Sequence, residues 1–436
     1  MELKTLAAWK GDLESGALDP ALQRLYGADS FGAPKLRQRF LEALEGFGKT
    51  FPERTLTGLF SAPGRTEIGG NHTDHQQGWV LGAAVSLDVI GVVSPREDNI
   101  IRVQSQGYEM EEIDLSHLEP VAAEQETSQA LIRGIAARFN QFGYRIGGFD
   151  AYTTSAVMKG GGLSSSAAFE VLIGTVLNHL YNGGLVDPQR IAQVGQYAEN
   201  VYFGKQCGLM DQMVSAVGGF VSIDFGEELP KIRQIPFDFS KVRHHLCVTE
   251  VGSGHENLSG EYSAIPAEMK AVAACFGQEV LSRVSEEDFY IALPQLHGRV
   301  SDRAILRAAH FFGETRRARQ QAQALERGDF PGFLELVRQS GLSSFRWLQN
   351  IFAPQDPTCQ PVSLALLASE HLLQGKGACR VHGGGFAGTI QAFVPEELLC
   401  SYVKEMEELF GPGSCHRLAI RPWGGVCLHT PGAYAE

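Results

Sequence analysis

The sequence predicts an α+β fold of two domains, and three observations carry that reading. Strand-like and helix-like stretches mix without the strict alternation of a doubly wound sheet. A polar helical segment gives way to a different character after Pro52, and the order of elements restarts near Pro236. The 436 residues therefore divide into an N-terminal helical extension (1–50), a first domain (51–235) and a second domain (236–436). That length suffices for two or three domains with buried cores.

Each element has its own signal. Residues 1–50 read as helical, with an apolar stripe through Leu36, Phe40, Leu41 and Leu44 at spacings of three and four. Leu56–Ser61 reads as a strand, followed by a glycine-rich polar loop over Pro63–Gly78. Trp79–Val93, rich in valine and small residues, reads as one or two strands. Ser128–Phe142 reads as a helix, and Phe149–Val157 as a half-buried strand with aromatic and threonine content. A helix follows over Ser164–Leu180, where Phe169, Leu172, Val176 and Leu180 recur at helical spacing; another covers Pro188–Phe203, and a strand Phe220–Asp224. In the second half, strands are predicted at His244–Glu250, Thr389–Val394, Arg417–Arg421 and Val426–His429. Helices are predicted at Pro266–Phe276, Arg303–Arg327, Pro331–Gln339, Pro361–Gln374 and Glu396–Leu409.

Composition narrows the function classes. Hydrophobic content of 44% and charged content of 20% are those of an ordinary globular protein. A formal net charge of −13 repels polyanions, so nucleic acid is excluded as a main partner, and a small anionic ligand needs a local cationic, N–H-lined or metal-bearing pocket. The eight cysteines show no Cys-x-x-Cys spacing and sit in apolar stretches, which predicts reduced thiols in a cytoplasmic protein. The opening residues lack a signal-peptide pattern, and no apolar run reaches membrane-spanning length, since Ser86 and Asp88 interrupt the nearest candidate. No membrane partner is expected, and a monomer is favoured.

The strongest local signal is Lys159 to Ala168, in which Gly160, Gly161 and Gly162 precede Leu163, Ser164, Ser165, Ser166 and Ala167. Three glycines let the backbone turn tightly and approach a ligand. The serines then open a helix whose unpaired N–H groups and positive dipole end suit phosphate. A flexible turn with a serine cap is the plainer alternative, but a well-formed helix follows. The pattern is neither a Walker A loop, lacking its Gly-Lys-Ser/Thr ending, nor a dinucleotide-binding glycine turn.

Three further clusters need a reason. Arg65, Asn71, His72 and Asp74 bring cationic, neutral and anionic groups into one glycine-rich loop, a mixture suited to a polyhydroxyl ligand. A solvated loop is the alternative; a metal site on His72, Asp74 and His75 is disfavoured because neighbouring positions rarely converge on one ion. Asp211 lies among Leu209, Met210, Met213 and Val214, where a carboxylate must be paired or functional, helix capping being its commonest structural role. A second glycine run, Val381–Gly388, precedes a strand.

Taken together these segments resemble the GHMP kinases, and galactokinases in particular. Pro63–Gly78 is similar to the galactokinase signature, Gly160–Glu170 to the family's ATP loop and Gly377–Gly388 to its third motif. Glu199 and Asp211, the latter in Cys-Gly-Leu-Met-Asp-Gln, match another galactokinase stretch, and Glu261-Tyr262 stands where the family has a sugar-stacking tyrosine. The resemblance, from about residue 58 to the end, implies a ribosomal-protein-like N-terminal domain and a ferredoxin-like C-terminal domain. It implies ATP and Mg²⁺ as cofactors, with Gly160 to Ala167 cradling the phosphates and Ser165 and Glu199 holding the metal. It implies catalysis by Asp211 and Arg65, and sugar contacts from Asn71, His72, Asp74, Gly208 and Tyr262. The implied reaction is phosphorylation of the anomeric (C1) hydroxyl of galactose or a related hexose.

Two departures qualify the sugar. Galactokinases carry glutamate where this chain has Asn71, and the asparagine usual after the arginine is displaced by Glu67. A neutral Asn71 would tolerate a C6 carboxylate, and Asp74-His75-Gln76 is similar to galacturonokinases, so a sugar-acid 1-kinase is the alternative substrate reading. A non-catalytic galactose- and ATP-binding sensor is the other; the intact serine turn and Asp211 favour catalysis.

Overall fold

The computed structural model describes residues 2–27, 32–158, 161–227, 229–252, 258–386 and 388–428. Lys159, Gly160, Ala387 and His429 of the predicted motifs and strands lie outside them.

Two sheets organise the chain. The first is built from β1 (Gly58–Gly69), β2 (Trp79–Pro95), β3 (Ile100–Ser105), β4 (Met110–Asp114), β5 (Phe149–Ser155), β6 (Phe220–Asp224) and β7 (Lys231–Ile235). The second contains β8 (His244–Glu250), β9 (Ala378–His382), β10 (Thr389–Pro395) and β11 (Cys415–Leu418), and a last strand, β12 (Val426–Cys427), returns to the first. The first sheet runs β12-β1-β2-β5-β3-β4, with β6 also on β2 and β7 on β6; the second runs β11-β8-β10-β9. All ladders are antiparallel except β3 with β5. A mixed α+β architecture is thus what forms, as the element pattern predicts.

β1 is longer than its sequence suggests. It continues through Pro63 to Gly69, which the residue types mark as loop, and it absorbs them with register shifts between Pro63 and Arg65 and between Glu67 and Gly69. Bulges tolerate proline and glycine that a regular ladder would not, and they re-aim side chains. β2 is one 17-residue strand rather than two. Beside β1 it pairs first with β6 (Trp79–Ala83) and then with β5 (Val89–Pro95), which is why nearly every residue along it is buried.

Both faces of the first sheet are covered. Helices Ser128–Gln141 and Ser165–Tyr181 pack Leu131, Ile135, Leu172 and Val176 against one face. On the other, helix Ala33–Thr50 seats Leu36, Phe40, Leu44 and Phe47 with Leu59, Ile90 and Val92, so the predicted apolar stripe is its buried face. Asp88 sits inside this layer with no exposure. It accepts from Arg39 Nη2 at 2.7 Å and Arg421 Nη1 at 3.2 Å, and from the hydroxyls of Tyr26 and Ser61. One ionised carboxylate therefore ties the N-terminal helices, the first hairpin and the C-terminal segment together.

In the second half, helices Pro361–Leu373 and Leu399–Phe410 bury Val362, Ala365, Tyr402 and Met406 on β8, β9 and β10. Helices Ser259–Ala274 and Asp302–Glu326 form a separate apolar cluster around Ile265, Met269, Ala308 and Phe311. The former begins before the predicted start and carries Pro266 within it. No described helix is long and apolar enough to cross a membrane.

Candidate active site

The site forms where β1, the Gly161–Ser164 turn, the start of helix Met210–Val217, the loop after β1 and the Gly383–Gly385 turn converge. Gly162 has φ +70°, and a Cβ there would stand 3.0 Å from His382 Nδ1. Glycine is therefore required at that turn both for backbone conformation and for space. Ser164 follows at φ 55°, also left-handed, and helix Ser165–Tyr181 begins directly after it. No side chain among the described residues caps that helix. The Ser164 hydroxyl instead donates to Asp211 Oδ2. The first turn of the helix is thus left with N–H groups that no described side chain caps. Leu163 and Ala167 are buried beneath the turn, while Ser165 and Ser166 are half-buried.

Arg65 joins the turn to Asp211. Its Nε and Nη2 donate to Asp211 Oδ1 and Oδ2, each at 2.7 Å; its Nη1 donates to the Gly162 carbonyl and its backbone N–H to the Leu163 carbonyl at 3.0 Å. Bidentate guanidinium–carboxylate geometry is among the strongest polar contacts proteins make. Burial opposes ionisation of Asp211, but the charge and hydrogen bonds of Arg65 and the Ser164 hydroxyl outweigh it and hold the carboxyl below its ordinary range. Asp74 behaves oppositely. Burial raises it, the negative charge of Asp211 adds to that, and His72 and the His75 backbone offset only part. Two carboxyls in one cleft are thus pushed apart in acidity, a pattern that separates chemical roles.

A cavity of about 180 Å³ is lined by Arg65, Glu67, His72, Asp74, Gly208 and Asp211, together with the Gly383–Gly384 backbone. It is smaller than the ~300–1,000 Å³ of drug-sized ligand sites. A Cβ at Gly208 would collide with Asp74 Oδ2, so glycine there lets the carboxylate approach the backbone. His72, at φ 57°, directs Nε2 to the Gly384 carbonyl at 3.0 Å, which makes that nitrogen the protonated one.

Not every expected residue reaches this cavity. Asn71 is fully buried behind the wall, its amide held by Glu67, Gly383 and Asn350. Tyr262 packs its ring on Gly384 and donates its hydroxyl to the Gly385 carbonyl at 2.9 Å, so it braces the glycine turn. Gly160 lies outside the described residues. Glu199 is buried at the π-helical turn Ala198–Phe203; its Oε2 accepts from Gln212 Nε2 at 2.8 Å and its Oε1 from Lys205 Nζ at 3.2 Å. No hydrogen bond joins Glu199 to Ser165 among the described residues.

Residue-type reading misses several members. Gln212, next to Asp211, bridges Glu199 and Glu170 Oε2 (2.9 Å), and burial together with the charge of Glu199 raises Glu170 well above the usual carboxyl range. His382, pushed down to about 3 by burial and then by Arg65 and Arg380, stays neutral between the Thr66 and Thr389 hydroxyls, each 3.0 Å away. The glycine run beside it was visible in the sequence, whereas the pairing of Gln212 with Glu170, 42 positions apart, was not.

Two segments match known families. Residues 130–219 match the GHMP kinases N terminal domain, and residues 45–95 match the galactokinase galactose-binding signature. Among solved structures, the fold is similar to Lactococcus lactis galactokinase complexed with galactose, at 23% identity and a TM-score of 0.75, over 89% of this chain and 100% of that one. It is also similar to Methanococcus jannaschii mevalonate kinase, at 12% identity and a TM-score of 0.59, over 83% of this chain and 98% of that one. A D-glycero-D-manno-heptose 1-phosphate kinase from Bacteriodes thetaiotaomicron aligns at 14% identity with a TM-score of 0.57, over 85% of this chain and 98% of that one. The chain carries a GHMP kinase N-terminal domain preceded by the galactokinase galactose-binding signature, on a galactokinase-like fold.

Proposed function

We propose that this chain is an ATP-dependent sugar kinase that phosphorylates the anomeric (C1) hydroxyl of galactose or a related hexose, giving the sugar 1-phosphate and ADP. The observation that carries the proposal is the Asp211 carboxylate, bonded at once to Arg65 and to Ser164 at the start of a helix. An ionised carboxylate beside a phosphate-suited turn is what transfer to a hydroxyl requires.

The residues divide the work. Gly160, Gly161 and Gly162 and the N–H groups over Ser164–Ala167 hold the ATP phosphates. His72, Asp74 and the Gly208 backbone hold the sugar in the small cavity. Asp211, ionised at neutral pH, accepts the proton from the attacking hydroxyl. Arg65 keeps Asp211 charged and faces the charge that develops on the transferring group. Phosphoryl transfer depends on positioning and charge neutralisation more than on covalent chemistry. Tyr262 and Asn71 act from behind the cavity by fixing the Gly383–Gly385 turn.

Ser165 and Glu199 would hold Mg²⁺. Their hard oxygen donors suit it, and Glu199 Oε1 accepts at 3.2 Å from Lys205, whose side chain is 64% exposed. When bound, the ion neutralises phosphate charge. We further propose residues 51–235 and 236–436 as the two domains of this kinase and 1–50 as an extension, in a monomer. Eight free cysteines support a reducing, cytoplasmic setting.

A coupled ADP-release assay with a hexose panel, ATP and magnesium tests the function. ADP release dependent on one neutral hexose is expected. Sugar binding without ADP release for any hexose would instead favour a sensor.

A further inference from the structure

The loop after β1 and the end of β1 itself carry two polar side chains four positions apart that serve different surfaces. Asn71 has no exposure, and its amide is consumed by the protein. Its Nδ2 donates to Glu67 Oε1 at 2.9 Å and to the Gly383 carbonyl at 2.7 Å, and its Oδ1 accepts from Asn350 Nδ2 at 2.9 Å. Glu67 is part of the cavity wall, beside Arg65, His72, Asp74 and Asp211. Its Oε1 accepts from Asn71 and from Arg380, a fully buried guanidinium that also donates to the Ile68 and Val381 carbonyls at 2.9 Å each. Its Oε2 has no hydrogen-bond partner among the described residues and is not sealed from the cavity.

We propose that Glu67 is a specificity-determining residue of the sugar cavity. Its fixed carboxylate presents Oε2 as an acceptor to a substrate hydroxyl, and its charge rejects a sugar carboxylate at that end. This rests on the sugar-kinase reading above and deepens it. It also reverses what the neutral Asn71 suggests when residue types alone are read, because the position exposed to substrate is the acidic one. With Asp74 and Asp211, three carboxyl groups line the cavity, and Arg65 is already engaged by Asp211. A neutral hexose donates hydroxyl protons to such a wall, whereas a uronic acid meets acceptor oxygens whose cations, Arg380 and Arg65, are already engaged by Glu67 and Asp211, and it must shed its hydration there without gaining a counter-charge.

Glu67→Gln and Glu67→Asp separate the two effects. D-galactose and D-galacturonate serve as probes, with calorimetric sugar binding and steady-state KM and kcat read side by side. Wild type is expected to bind galactose and to discriminate against galacturonate. Glu67→Gln should weaken galactose about 10- to 100-fold in KM, the scale of a hydrogen bond to a charged group, and narrow the gap to galacturonate. Glu67→Asp keeps the charge beside Arg380 but withdraws the oxygen by one methylene. It should weaken galactose while discrimination against galacturonate persists, and it keeps the test available if Gln leaves Arg380 unpaired and the fold melts. A folded Glu67→Gln or Glu67→Asp protein with unchanged galactose KM overturns the proposal while leaving the kinase reading intact, as does a wild type that prefers galacturonate. A wild type that binds neither sugar and releases no ADP with any hexose overturns both.

Discussion

Replacing Asp211 by Asn removes one charge with almost no change of shape, so its effect can be worked from the bonds around it. Oδ2 accepts from Arg65 Nη2 and the Ser164 hydroxyl, whereas Oδ1 accepts from Arg65 Nε alone. The amide nitrogen will take the Oδ1 side, where it faces one donor rather than two. One donor of Arg65, a residue 8% exposed, is then unmet, which costs about 1–3 kcal/mol of stability. Catalysis loses more. Without a carboxylate to take the hydroxyl proton, kcat should fall by about 10²- to 10⁴-fold, equivalent to about 2.7–5.4 kcal/mol of barrier at 1.36 kcal/mol per factor of ten. Sugar and nucleotide affinity should change little by comparison, because both ligands keep their other contacts. A coupled ADP-release assay, with calorimetric binding and a thermal melt on the same preparation, separates these terms. A folded Asp211→Asn protein retaining more than about a tenth of wild-type kcat would refute the assignment of Asp211 as proton acceptor.

Other substitutions probe neighbouring links. Arg65→Lys gives up the two-pronged contact, so the Asp211 carboxyl moves up toward its ordinary value; the acid limb of the pH–rate profile, set in wild type by a group held below that value, should move to higher pH, and an unmoved limb would disconnect the pair from turnover. Gly208→Ala drives a Cβ into Asp74 Oδ2 and should raise the sugar KM about tenfold or more while leaving the nucleotide KM near wild type; equal rises in both would place Asp74 elsewhere in the reaction. Asp88→Ala strands the buried Arg421 and should cost about 3–5 kcal/mol in urea unfolding. Asp88 is opposed by burial but lowered overall by Arg39 and Arg421, so its stabilisation is full above its unfolded value and lost as pH falls through the folded one. A wild-type acid-unfolding profile that the Asp88→Ala protein reproduces unchanged would remove this group from that account.

Much of the fold is legible because its signals are local. The helix over Ser165–Tyr181 follows from apolar periodicity, and the tight turn before it follows from consecutive glycines, one of which does adopt positive φ. β6 and β8 match their predicted spans because short β-branched and aromatic runs are bounded by turn residues. β3, β4 and β7 escape notice because their charged and apolar residues alternate on a partly exposed sheet, a pattern shared with polar loops.

The site is legible in its residue types and opaque in its directions. Arg65, Asp211 and Ser164 come together in the structure, a meeting that the family resemblance implies and that the residue types alone do not. Which of Glu67 and Asn71 faces the cavity depends on the bulge between Glu67 and Gly69 and on Arg380, 313 positions away, and no local pattern encodes either. The Glu170–Gln212–Glu199 group is equally a product of tertiary packing, since each residue alone reads as a solvated helical side chain.

Phosphorus NMR of a reaction containing this protein, ATP, magnesium and galactose tests the central claim most directly. The γ-phosphate resonance should decline as a sugar phosphate bonded through the anomeric oxygen appears, and with Asp211→Asn both changes should slow by about 10²- to 10⁴-fold. Conversion of ATP to free phosphate without a sugar phosphate, or equal product from the Asn variant, would contradict transfer to a hydroxyl activated by Asp211.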